Sequence, residues 1–166
     1  LSVLAGYIQG TFYIFLVAFV LTLCVFIPGV GFEAGGATRW IKLGSFTFQP
    51  AELLKVSFII YMATWLSGMK RYIHSFVKGT IPFLIFLGII SIPLLLQPDT
   101  DTFIIICVAS VAMFIVVGGN IRDVGLMVLL GILLVIVLAF SRTYIKDRLL
   151  TFIHPSLDPQ GAGYQI

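Results

Sequence analysis

Charge is what this sequence has least of. Of its 166 residues only 10% are charged, against 60% apolar and 14% aromatic, whereas a soluble domain carries about 25% charged and about 45–50% apolar residues. A globule of this size exposes too large a share of its surface to hide that much apolar material from water. Soluble globular and disordered classes are therefore excluded. Bilayer hydrocarbon is the solvent that fits, and a mean hydropathy of +1.12 agrees. The net charge of +3 is weak and scattered, which excludes the basic face a nucleic-acid partner needs. Cysteine is scarce too: Cys24 and Cys107 both sit in apolar runs and read as small buried hydrophobes. His74 and His154 stand in loops without a matching ligand set, so no metal site is expected. Nucleotide-binding glycine motifs, haem motifs, nucleophile triads and fixed-period repeats are all missing.

Long apolar runs are what the sequence has in quantity. A bilayer core of about 30 Å needs about 20 apolar residues per helix, and runs near 11–28, 51–69, 80–96, 98–118 and 124–140 meet or approach that length. Their Val/Ile/Leu filling lacks the alternation of barrel strands. The expected fold is an all-α, polytopic transmembrane helix bundle of about five spans, forming a single membrane domain. Residues 1–9 read as the end of a preceding span or its connection. Further on, Ile145, Leu149, Phe152 and Ile153 make one helical stripe, with Arg142, Lys146 and Arg148 away from it. That pattern predicts an interfacial amphipathic helix near 143–154, its cations at headgroup level, before an outer loop starting at 155–166.

The connections alternate sides. Loop 70–79 and the turn at 119–123 carry Lys70, Arg71, Lys78 and Arg122 in a short length, which makes that side cytoplasmic. Loops 29–50 and 141–166 are then extracytoplasmic.

Ionisable groups in or beside a span are costly there and are functional candidates by default. In Gly35-Gly36-Ala37-Thr38-Arg39-Trp40-Ile41, Arg39 offers a fork of donors suited to phosphate and Trp40 suits the interface; an interfacial anchor explains the same residues. In Gln49-Pro50-Ala51-Glu52-Leu53-Leu54-Lys55, proline starts a helix and Glu52 and Lys55 share a face. A self-neutralising pair is the plain alternative. Gln97-Pro98-Asp99-Thr100-Asp101-Thr102 starts a second helix the same way, and capping alone would account for Asp99 or Asp101. Both helices begin on the outer side, so Glu52, Lys55 and Asp99 are expected to line one outward-facing cavity. Asp158-Pro159-Gln160-Gly161-Ala162-Gly163-Tyr164-Gln165 reads by composition as a turn-rich loop.

In series, these four segments resemble the SEDS family (shape, elongation, division and sporulation; the FtsW, RodA and SpoVE type), nearest its FtsW cell-division branch. The resemblance implies a multi-pass enzyme of the bacterial cytoplasmic (inner) membrane. Such an enzyme is a peptidoglycan glycosyltransferase that polymerises lipid II into glycan strands for division or cell shape, beside a class B penicillin-binding protein. Arg39, Gln49, Glu52, Lys55 and Asp99 are the implied cavity and substrate-binding residues, with Arg142, Lys146 and Arg148 as headgroup or diphosphate contacts. On this alignment the chain, which opens on Leu1, is an internal fragment. The family's presumed catalytic aspartate falls beyond Ile166, so the catalytic residue is unknown and the 166-residue chain alone is expected to be inactive. No cofactor is identified, and a divalent cation is left open. Where the family reads Gln-Pro-Asp-Leu-Gly-Thr, Asp101 stands in place of the glycine, adding bulk and negative charge where a close helix approach was expected.

Two other functions fit the same pattern: a lipid II flippase or transporter, since proline-started helices with terminal charges also build transport sites, and a non-catalytic scaffold of the divisome or elongasome. Glycan polymerisation needs cations near the departing diphosphate; Arg39, Lys55, Arg142, Lys146 and Arg148 are the available ones, with Lys55 expected to organise the cavity as a charge partner through Glu52. Lys55→Ala in the full-length protein is therefore expected to abolish glycan polymerisation and leave membrane insertion intact. Strand synthesis from lipid II and membrane fractionation measure the two effects.

Overall fold

A computed structural model describes residues 2–34, 37–44 and 46–141. The expected interfacial helix near 143–154, with Arg142, Lys146 and Arg148, and the outer-loop residues 155–166 lie outside the described residues. Five α-helices carry the fold: α1 (Ser2–Cys24), α2 (Pro50–Met69), α3 (Ile81–Leu96), α4 (Thr100–Val116) and α5 (Ile121–Ser141). Gly6–Cys24 and Phe76–Leu96 are long and apolar enough to cross a membrane, and Thr100–Val116 is apolar but shorter. Residues 1–124 form one compact unit and residues 125–166 a second; of the second, the described part is the remainder of α5.

Two differences from the sequence expectation concern the first fifty residues. α1 is one continuous helix from Ser2, not a span beginning near 11 after a separate connection, because glycine at 6 and 10 is tolerated in membrane helices. It closes at Cys24, short of Pro28, through turn bonds from Phe26 N to Leu23 O and from Ile27 N to Cys24 O, both 3.1 Å. The loop expected over 29–50 contains an antiparallel meander: β1 (Gly31–Ala34), β2 (Ala37–Leu43) and β3 (Phe46–Phe48). β1 pairs Gly31 with Ile41 and Phe32 with Trp40, then shifts register so that Glu33 faces Thr38. β3 pairs Phe48 with Ile41 and Phe46 with Leu43. The turn between β2 and β3 contains Gly44 at φ 62, a backbone region that disfavours other residues.

Proline placement follows its chemistry. Pro50 opens α2, where its missing N–H has no partner to lose, and Gln49 before it is extended at φ −101, ψ 107, as a residue preceding proline prefers. Pro82 likewise lies in the first turn of α3, while Pro93 lies inside α3 without ending it. The last turn of that helix is closed beyond Pro93 by Gln97 N donating to Pro93 O at 3.0 Å.

In hydrocarbon, helices gain nothing from leaving water, so packing itself must hold them together. An aromatic cluster does this across α1, α2 and α3. Phe15 lies 5.4 Å from Tyr61 and 5.5 Å from Phe86, and Phe86 lies 5.2 Å from Tyr61 and 6.0 Å from Phe58. Phe83 and Phe114 join α3 to α4 at 4.9 Å. Small buried residues, Ala18, Ala51, Ser57 and Ser110, let backbones approach between the rings. Large apolar side chains cover the outside, among them Ile85, Ile92 and Val108. Cys24 and Cys107 are free and half-buried. Phe58 is fully buried and Ile60 is half exposed. Phe58→Ala should therefore cost about 3–5 kcal/mol and Ile60→Ala under about 1 kcal/mol, compared by thermal unfolding of the purified protein in detergent.

Candidate functional site

The site is assembled at the end of the bundle where α2 and α4 begin. Strand alternation brings the first residue in. On β2, Ala37 and Ile41 are buried while Thr38 and Lys42 are exposed, so Arg39 falls on the inward face by the two-residue period of a strand. Its side chain is 20% exposed and its Nη1 stands 4.0 Å from Asp99 Oδ1, an ion pair beyond hydrogen-bond reach. Gln49 arrives on the extended residue before Pro50 and donates from Nε2 to Asp99 Oδ2 at 3.1 Å.

Asp99 is itself the N-cap of α4, accepting from Thr102 N at 3.3 Å, and it is 2% exposed. The capping role suggested by the sequence is therefore combined with contacts to Gln49 and Arg39, in place of the grouping with Glu52 and Lys55 that the sequence suggested. A carboxylate withdrawn this far from solvent is costly unless paired, and here one helix terminus, one amide and one guanidinium share it. Arg39 Nε is buried without a hydrogen-bond partner, so the guanidinium keeps donor capacity in reserve.

Glu52 and Lys55 form an ion pair of 2.7 Å, with side chains 55% and 21% exposed. They neutralise each other on the outer part of the first turns of α2, and no ion pair runs from either to Asp99 among the described residues. The structure thus brings together Arg39, Gln49 and Asp99, and sets Glu52 with Lys55 as a neighbouring pair on the helix that Gln49 precedes.

Sequence reasoning assigned no role to Gln97. It is 2% exposed and donates from Nε2 to Thr22 O at 2.7 Å, tying the end of α3 to the end of α1, while its Oε1 is buried without a partner. The signal was available: an amide inside an apolar run, two residues before a helix-capping aspartate. Beside it lies a cavity of about 380 Å³, lined by the C-terminal end of α1, by Gly31, Ala37 and Thr38 of the sheet, and by Leu96, Gln97 and Pro98. Among the described residues, no group of three His, Cys, Asp or Glu side chains could hold a metal ion. The cavity lining carries no charged side chain; among the described residues, the cationic donor left unpartnered at this end of the bundle is Arg39 Nε.

A family profile for FtsW, RodA and SpoVE, described as "Cell cycle protein", matches residues 4–166. A protein of Idiomarina loihiensis named "Probable peptidoglycan glycosyltransferase FtsW" is 39% identical over 146 residues, covering 88% of this chain and 36% of that protein. A solved structure described as "Structural coordination of polymerization and crosslinking by a peptidoglycan synthase complex" matches with a TM-score of 0.68 and 26% identity, over 97% of this chain and 47% of that one. The crystal structure of a variant of the rod shape determining protein RodA from Thermus thermophilus matches with a TM-score of 0.57 and 25% identity, over 72% of this chain and 38% of that one. The chain spans between 36% and 42% of the length of the first curated relatives it matches.

Replacing Asp99 with leucine removes the α4 cap and strands Gln49 and Arg39. Asp99→Leu is expected to cost about 2–4 kcal/mol, seen as a lowered Tm in detergent. Asp99→Asn, which keeps a capping oxygen, should cost clearly less in the same measurement.

Proposed function

The chain belongs to the FtsW, RodA and SpoVE family of cell cycle proteins, and from that membership we propose that the whole protein is a peptidoglycan glycosyltransferase embedded in the bacterial cytoplasmic membrane. Its substrate is lipid II, an undecaprenyl-diphosphate-linked saccharide, and it works beside a class B penicillin-binding protein. The meeting of Arg39 and Gln49 on the buried Asp99 where two helices begin is the observation that carries this reading to the described residues. In this topology loops 29–50 and 141–166 are extracytoplasmic and loop 70–79 is cytoplasmic.

In the reaction, an acceptor sugar hydroxyl forms a bond to the donor's anomeric carbon as the bond from that carbon to the lipid diphosphate oxygen breaks. The hydroxyl proton passes to a carboxylate base, and the electron pair leaves with the diphosphate, inverting the anomeric centre. The base is unassigned among the described residues. What they supply is the anionic end of the transition state. Arg39 is held facing inward by the strand period and by Asp99, with Nε unpartnered, so a diphosphate oxygen would complete its donors. Preorganised cations at a developing charge act strongly in a water-poor site. Gln49 fixes the Asp99 carboxylate that orients the guanidinium, and the Glu52–Lys55 pair is the neighbouring charged pair on α2. Arg142, Lys146 and Arg148 are the further headgroup contacts in this proposal.

The test uses purified full-length protein and lipid II. Polymer is the expected product, and Arg39→Ala should lower its rate by about 100-fold or more with membrane insertion unchanged. Movement of lipid II across vesicles without any polymer would replace this reading with a flippase. Growth supported by a polymerisation-dead Arg39 variant would replace it with a scaffold.

A further inference from the structure

We infer that the end of the bundle opposite Asp99 is a docking surface for anionic phospholipid headgroups, built from two loops latched together; this is independent of the glycosyltransferase reading. α2 and α4 begin side by side at the Gln49–Asp99 bond, so they run in the same direction and deliver their C-terminal ends to the opposite end. There the connection after α2 is joined twice to the segment that closes the turn after α4 and opens α5. Asn120 Nδ2 donates to His74 O at 2.7 Å, and Thr80 Oγ1 donates to the Asp123 carboxylate. Thr80 and Asp123 are both buried. Gly79 permits the closure, since a Cβ there would stand 2.7 Å from Tyr72 O.

The latch occupies the acid of this end and leaves the cations outside. Lys70, Arg71, Lys78 and Arg122 are all exposed, while Asp123 is engaged by Thr80. Among the described residues, this end therefore sets four basic side chains against one occupied carboxylate. The end carrying Asp99 sets three (Arg39, Lys42, Lys55) against four (Glu33, Glu52, Asp99, Asp101). The latch also joins the charges, because Lys78 lies two residues from Thr80 and Arg122 adjoins Asp123.

What stands between the cations selects a membrane over an acidic protein. Tyr72 and Phe76 are each 46% exposed, Val77 is 67% exposed and Ile121 is 77% exposed. Lys78 Nζ rests 5.9 Å from the centre of the Tyr72 ring. The boundary between headgroups and acyl chains offers phosphate and hydrocarbon at one depth, which serves both sets of side chains. An acidic polypeptide would serve only the cations.

The test places the full-length protein in neutral detergent micelles doped with fluorescent phosphatidylglycerol or phosphatidylcholine. Wild type should enrich phosphatidylglycerol over phosphatidylcholine, and the combined K70Q/R71Q/K78Q/R122Q variant should lose that preference by about tenfold or more. Lys42→Gln, at the other end, should leave it unchanged. Thr80→Val, which keeps every cation and opens the latch, should weaken it. Equal enrichment in wild type and the combined variant, or an unaltered preference in Thr80→Val, would overturn the latched surface. Cation-dependent binding of polyglutamate without enrichment of phosphatidylglycerol would overturn it in favour of a protein-docking face.

Discussion

A carboxylate that cannot reach water organises this molecule. Asp99 is 2% exposed, and in so apolar a chain few groups are available to compensate its charge. Each of its partners therefore has to be delivered by a backbone feature: the Thr102 amide by the start of α4, the Gln49 amide by an extended residue before proline, and the Arg39 guanidinium by the alternation of β2. The sheet, the two proline-led helix starts and the crossing of α2 with α4 are coupled through one side chain. Moving any of these elements leaves a charge uncompensated in a place where that is expensive.

The rest of the bundle is held by less directional forces. Ring contacts among Phe15, Phe58, Tyr61 and Phe86 supply dispersion that lipid chains cannot match as closely. Small residues between them set the distance of approach. Polar cross-links then fix register at the two ends, Gln97 to Thr22 at one and Thr80 to Asp123 at the other. Apolar packing in the middle and buried polar bonds at the termini divide the work between affinity and specificity.

The helices and the cap at Asp99 were legible in the sequence because they rest on local chemistry: apolar run length, proline at helix starts, and an aspartate before a helix. Its contacts with Gln49 and Arg39 were not, since local chemistry grouped Asp99 with Glu52 and Lys55 and only the family resemblance pointed to Gln49. The sheet was not. β2 reads Ala-Thr-Arg-Trp-Ile-Lys-Leu, whose alternation is clear only once its buried face is known, and the glycines around it also describe a loop. Gln97, Thr22, Thr80 and Asp123 escaped for a different reason. Gln97 and Thr22 are 75 residues apart, and Thr80 and Asp123 are 43 apart. No spacing rule links polar residues over such lengths. The Glu52–Lys55 pair was legible as a pair, from its i, i+3 spacing, but its exposure depends on the neighbours of α2.

Asp101 shows how three dimensions can settle what a motif leaves in tension. Against the resemblance, an aspartate in place of glycine adds bulk and a negative charge next to a site meant for an anion. Helical rotation resolves the steric part. Asp99 and Thr102 are buried while Asp101 is exposed, so among the described residues the added side chain projects from the outer face of α4. Its charge also falls in the first turn of α4, where the unpaired amides of a helix start favour an acid. Repulsion toward the diphosphate of the proposed substrate is screened by solvent more effectively on an exposed face than at the buried position two residues earlier. The substitution is therefore compatible with the anion-binding role proposed for Arg39, and its position on the helix, more than its identity, decides that.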